Sequence, residues 1–125
     1  MLVRADRVLL VQHNNRLPEN IGKWGLPGGH IEPADASPEE ALRREMREEF
    51  AIGLGPLTLL GDWPYKGRVH RVFAAVPDAA IVSWDPAEIL AIRWRRAAEA
   101  AALPLHTGFE LDAISRVPGL PSGRP

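Results

Sequence analysis

Apolar positions along the chain fall into short blocks separated by turn-forming residues, and the spacing inside each block predicts its element. Val8 to Gln12 is a β-branched and leucine run, the pattern of a buried strand. Leu2 to Arg4 is placed to pair with it across a turn at Ala5-Asp6. Residues 13–23 are polar and contain Pro18 and Gly22, so they read as a loop. His30-Ile31-Glu32 reads as a short extended piece. At Ser37 the period changes. Serine can cap a helix, Pro38 fits the first helical position, and Glu39 and Glu40 favour the positive helix end, so a helix is predicted to about Phe50. Leu57–Asp62 and Val69–Val76 are predicted strands joined through Pro64-Tyr65-Lys66-Gly67, with Ala80–Trp84 a further strand and Ile89–Trp94 another. Arg96–Ala102 and Gly108–Arg116 are predicted helical. Residues 118–125 are rich in proline and glycine and read as a flexible tail on a single domain, 1–117. Interleaved helices and strands put the chain in the mixed α/β class.

Composition narrows the chemistry. A chain of 125 residues fits one domain, and 46% hydrophobic content supplies an ordinary core. There is no cysteine, which excludes disulfides, thiolate zinc sites and a cysteine nucleophile. The formal net charge is −1, so no global positive field points to duplex nucleic acid as a partner. No run approaches the roughly 20 apolar residues of a membrane span, and the first residues lack a signal-peptide pattern, so the expectation is a cytoplasmic protein with no membrane partner. Any phosphate must then be handled locally, by a metal or by placed donors.

The acidic helix is where such handling is written. At about 100° per residue, Leu42, Met46 and Phe50 form one apolar stripe, while Glu40, Arg43 and Arg47 fall on the opposite, solvated side. Glu45 and Glu49 lie beside the stripe, with Glu48 next to them. Three carboxylates along the edge of a buried face repel one another and lose hydration. A divalent cation with a preference for oxygen ligands, Mg²⁺ or Mn²⁺, would offset both costs. Arg44 is spaced to orient a carboxylate. The plainer alternative is a solvated helix laced with i,i+4 pairs.

Leu26-Pro27-Gly28-Gly29-His30-Ile31-Glu32, followed by the run from Ala41 to Ile52, resembles the Nudix hydrolase family (MutT-type pyrophosphohydrolases). Gly29 matches the first glycine of that family's box, and Arg44, Glu45, Met46, Glu48, Glu49 and Ile52 match its second half in register. The chain departs from the box in three ways. Asp35 stands where the middle glutamate belongs, with eight residues rather than seven before Arg44. Ala51 replaces the closing glycine, so either Gly53 ends the helix or Ala51 bears the left-handed geometry. The first strand is short or missing.

The resemblance implies an α/β/α sandwich around a mixed sheet, with the box as a loop–helix–loop. It implies that Glu45, Glu48 and Glu49 bind Mg²⁺ or Mn²⁺, joined by a backbone carbonyl of Gly28 or Gly29, and that Arg44 holds a glutamate in position. It implies a substrate that is a nucleoside diphosphate derivative, with water attacking phosphorus. The general base would be a box glutamate or one from a later loop, for which Glu88 is the candidate. Gly29, Glu32, Lys23 and Tyr65 are candidates for substrate contact, with Arg16, Trp63, His30, His70 and His106 weighed beside them. Two other readings fit the same residues: a nucleotide-binding sensor with a degenerate box, and removal of diphosphate from an RNA 5′ end. A homodimer is compatible with the family and has no motif of its own.

Overall fold

The computed structural model describes residues 1–14, 17–29 and 31–120. Strand β1 (Val3–Arg4) turns through Ala5, at φ 53°, into β2 (Arg7–His13). A single 3-10 turn, Pro18–Asn20, interrupts the following loop. Helix α1 spans Pro38–Phe50. Strands β3 (Thr58–Tyr65) and β4 (Arg68–Ala74) form a hairpin, then come β5 (Ile89–Arg95), α2 (Ala97–Ala100) and α3 (Glu110–Ser115).

β2 lies between β1 and β5, antiparallel to both, and β3 pairs antiparallel with β4. The two groups meet where Leu2 bridges Ala75 in parallel, with Val3 N–H donating to the Ala75 carbonyl at 2.9 Å and Ala75 N–H to the Met1 carbonyl at 3.0 Å. The sheet is therefore mixed. β2 explains the layering: its side chains alternate across the sheet, and both faces are covered. Val8 and Leu10 face a core with Leu60, Trp63, Val72 and the alanines of α2 and α3. Leu9 and Val11 face the other core, with Met46, Phe50, Ile52 and Ile89. Helix α1 covers one face and α2–α3 the other, which is the α/β/α arrangement.

Several expectations are met closely. The Ser37 hydroxyl accepts from Glu40 N–H at 3.1 Å and caps α1. Ala51, not Gly53, ends the helix: it sits at φ 55°, ψ 38°, with its N–H on the Arg47 carbonyl at 3.0 Å. The strands after α1 close on Lys66-Gly67, both at positive φ, the turn whose twist suits a two-residue hairpin.

Others need correction. Residues 80–84 form no strand, because nothing pairs with them along a ladder; Val82 is 85% exposed. Ile31-Glu32 is loop, with His30 outside the described residues. The predicted helix over 96–102 shrinks to four residues, started where Arg96 N–H meets the Glu99 carboxylate at 2.9 Å. Arg43 is not simply solvated: its guanidinium donates to the Leu54 and Gly55 carbonyls at 2.8 and 3.2 Å, closing the chain after α1. Beyond α3, Val117 is buried and Leu120 packs on the core, so the chain is still folded at 117–120, while residues 121–125 lie outside the described residues.

Candidate active site

One cleft of about 1040 Å³ runs across the molecule, from the carboxylates of α1 to a group of rings near α3. Its acidic end is built by three pieces of chain. The stripe of Met46 and Phe50 drives one face of α1 into the core and carries Glu49 with it, so that this carboxylate is buried at 5% exposure. The same rotation leaves Glu45 and Glu48 lining the cleft. The loop at Gly28-Gly29 lies directly on them. Gly28 has φ 149°, a conformation that side chains disfavour. A side chain at Gly29 would meet the Glu45 carboxyl at 2.5 Å and would have to push it aside. The turn at Asp85–Glu88 closes the third side. Asp85 N–H donates to the Glu49 carbonyl at 2.9 Å, Glu88 N–H to the Asp85 carbonyl at 3.1 Å, and Asn14 N–H to the Glu88 carbonyl at 2.9 Å, tying the turn to α1 and β2.

Arg44 organises this end. Its Nε and Nη2 grip Asp35 at 2.8 and 3.0 Å, a bidentate pair with an Asp35 side chain only 5% exposed. Asp35 also accepts Glu32 N–H at 2.7 Å, which folds the longer loop back on itself. The remaining Nη1 is shared by Glu48 at 3.0 Å, Glu45 at 3.2 Å and Glu32 at 3.5 Å. The Arg44 guanidinium beside Asp35 holds that carboxyl below the usual aspartate range, and Asp35 in turn keeps Arg44 firmly cationic.

Glu49 is the opposite case. Burial pushes its carboxyl up to about 8, helped by Glu45, Glu88 and Glu48 close by. Its Oε2 is buried and has no hydrogen-bond partner among the described residues. A buried, unpartnered carboxylate oxygen among further carboxylates is costly, and the donor set is all oxygen, which suits a hard divalent cation. The fit is chemical rather than preformed: among the described residues, no three His, Asp or Glu side chains already converge as a metal site. Glu45 and Glu48 instead both face Arg44 Nη1.

The sequence candidates divide accordingly. Glu45, Glu48, Glu49, Gly28, Gly29, Glu32 and Glu88 all line the cleft, and Arg44 contacts three of these acids. Lys23 and Tyr65 do not line it. Lys23 N–H is tied to the Asn20 carbonyl in the loop turn, and Tyr65 stands behind His70 and His106, edge-on to both. Arg16 and His30 lie outside the described residues. Sequence reasoning missed Asp85 and Glu110. An Asp-Pro step carries Asp85, whose carboxylate accepts Ala87 N–H at 2.9 Å, so a turn signal was present. Glu110 is 1% exposed and accepts Thr107 and Gly108 N–H at 2.9 and 2.8 Å; no local pattern marks it.

The NUDIX domain family model matches residues 1–116. The human protein named 8-oxo-dGDP phosphatase NUDT18 is 37% identical over 97 residues, covering 74% of this chain but 29% of that protein, so the chain spans under a third of that relative's length. Among solved structures, a MutT NUDIX hydrolase from Burkholderia pseudomallei superposes with TM-score 0.66 at 30% identity, covering 93% of this chain and 92% of the other. The NUDIX domain of Shewanella oneidensis NrtR, complexed with ADP ribose, gives TM-score 0.72 at 26% identity over 88% and 74% of the two chains.

Proposed function

This chain belongs to the NUDIX family, and from that premise we propose that it is a pyrophosphohydrolase that uses a divalent cation, Mg²⁺ or Mn²⁺, to cleave the diphosphate linkage of a nucleoside diphosphate derivative. The observation that carries the reading is the buried Glu49, unpartnered at Oε2 and facing Glu45, Glu48 and Glu88 at the edge of the cleft. Glu45, Glu48 and Glu49 would hold the cation, with the Gly28 carbonyl a further oxygen beside them. When bound, the cation neutralises diphosphate oxygens and lowers the pKa of an attacking water.

The chain's own residues supply the rest. Arg44, pinned by Asp35, holds Glu45 and Glu48 side by side at the edge of the cleft, from where they would turn to the cation. Glu88 rides on the Asp85–Glu88 turn rather than on α1, and it accepts the proton from water. Gly29 lets the loop backbone approach the diphosphate closely. Glu32 extends the acidic rim toward the substrate. A relative named for its action on 8-oxo-dGDP and a related domain with bound ADP ribose support a nucleotide derivative as the ligand class.

The test is a substrate panel of ADP-ribose, nucleotide sugars and nucleoside di- and triphosphates with Mg²⁺ or Mn²⁺. We expect cation-dependent turnover of at least one member and its loss in Glu48→Gln. Silence across the panel with the cation demonstrably bound, or a Glu48→Gln protein as active as the parent, overturns the reading.

A further inference from the structure

Strand β5 pairs with β2 along one side only. Which of its backbone groups face the other side follows from β2. Leu9 N–H donates to the Leu2 carbonyl at 3.0 Å, and Val11 exchanges hydrogen bonds with Gly25 at 2.9 and 2.8 Å. Leu9 and Val11 therefore turn their backbone away from β5. Direction alternates along a strand, so Val8, Leu10 and Gln12 turn theirs toward β5, where they meet Arg95, Arg93 and Ala91. Between these, Ile92 and Trp94 point N–H and C=O out of the sheet. Among the described residues no backbone group pairs with this edge. The Trp94 carbonyl takes only the Arg95 side chain, Nη1 at 2.9 Å.

An open edge of this length is a template for another strand unless proline, charge or twist blunts it. Ile89–Arg95 contains no proline or glycine. Its two arginines are drawn onto their own molecule: Arg93 lies over the Trp24 ring at 5.2 Å, and Arg95 holds the Trp94 carbonyl. Leu90, beside them, is 56% exposed. The strand is also complementary to itself. A two-fold axis at Ile92 sets Ile92 opposite its own copy and Leu90 opposite the partner's Trp94, and it sets Arg93 opposite the partner's Ala91. Moving the axis one residue on would set Arg93 against Arg93 of the partner subunit, and two residues on against the partner's Arg95. Like charges directly opposite are destabilising, so the arginines select the axis at Ile92.

We propose that this edge is an interface with a second copy of the chain, in which the two β5 strands pair antiparallel about Ile92 and join the sheets of both copies into one. The partner's backbone then takes the outward N–H and C=O of Ile92 and Trp94, displacing the Arg95 side chain from the Trp94 carbonyl, and the exposed Leu90 is covered by the partner's Trp94.

The experiment is size-exclusion chromatography with light scattering at high micromolar concentration, on the parent, on Leu90→Lys and on Val82→Lys, a control at an apolar side chain that is 85% exposed outside β5. Thermal unfolding verifies the fold of each variant. The parent and Val82→Lys should run at twice the chain's 13.8 kDa, and Leu90→Lys at the mass of one chain. Amide hydrogen exchange of the parent supplies a second readout that needs no variant. The Ile92 and Trp94 amides should exchange roughly tenfold or more slowly in concentrated than in dilute protein, while Ala91 and Arg93, bonded to β2, stay protected in both. A parent that runs as one chain, as it would if this edge served a different partner or none, overturns the proposal. So does a dimer that Leu90→Lys leaves intact or that Val82→Lys breaks, and so do Ile92 and Trp94 amides whose exchange ignores concentration.

Discussion

At the scale of single residues, two carboxyls with opposite environments govern the acidic end. Asp35 is held ionised by Arg44. It anchors Arg44 from a loop one residue longer, and with a shorter side chain, than the family's box pattern. A supporting residue of this kind typically accounts for 10- to 100-fold in metal affinity or activity. Asp35→Ala is expected to lower cation-dependent turnover by roughly that factor, and Asp35→Asn by less, because an amide still accepts from Arg44. Steady-state rates against cation concentration read this directly. Glu49 is held protonated by burial, with its carboxyl pushed up to about 8 from an ordinary 4.5. The unfolded chain gives up that proton near its ordinary value, whereas the fold keeps it until about pH 8. Between those values the folded state binds more protons, so stability falls as pH rises through the window. Asp35 acts in the reverse sense: its contribution is present above the ordinary aspartate range and fades as pH falls below it. Thermal unfolding of cation-free protein should therefore show Tm decreasing from pH 5 to pH 8, with Glu49→Gln flattening that slope. A parent protein with no slope there contradicts the burial argument.

At the scale of elements, α1 shows how much of the site is written locally. The cap at Ser37, the proline after it and the four-residue stripe were legible, and they fix which way Glu45, Glu48 and Glu49 point. Ser37→Ala should cost about 1 kcal/mol in chemical denaturation. Ala51 holds a left-handed conformation that costs a side-chain-bearing residue on the order of 1 kcal/mol. Ala51→Gly should be neutral to stabilising by up to about that amount, and Ala51→Val clearly destabilising; an Ala51→Gly protein that loses stability would contradict this. What was not legible is what long-range contacts decide. Residues 80–84 have strand-forming side chains but no partner, so the pattern over-predicted them. Asp35 looked like a break in the motif because its partner, Arg44, is reached only when the loop folds back. His70 and His106 each looked isolated, because 36 residues of chain separate two rings that share Tyr65. Glu110 carries no motif, since its role is to hold loop backbone.

At the scale of the whole molecule, the mixed sheet divides labour between its two faces. Helix α1 packs on one and brings the carboxylates to the cleft; α2 and α3 pack on the other, and the loop between them carries His106 and Phe109 to the cleft. Among the described residues, no helix is long and apolar enough to cross a membrane. The proposed reaction is water attack on phosphorus in a nucleoside diphosphate derivative, directed by the α1 carboxylates. The most direct measurement is ³¹P NMR of the reaction run in ¹⁸O-enriched water, with and without added Mg²⁺ or Mn²⁺. Cleavage should require the cation, place ¹⁸O on a phosphate of the product, and be lost in Glu49→Gln. Cleavage that leaves every product phosphate unlabelled, or a Glu49→Gln protein that cleaves as fast as the parent, would contradict it.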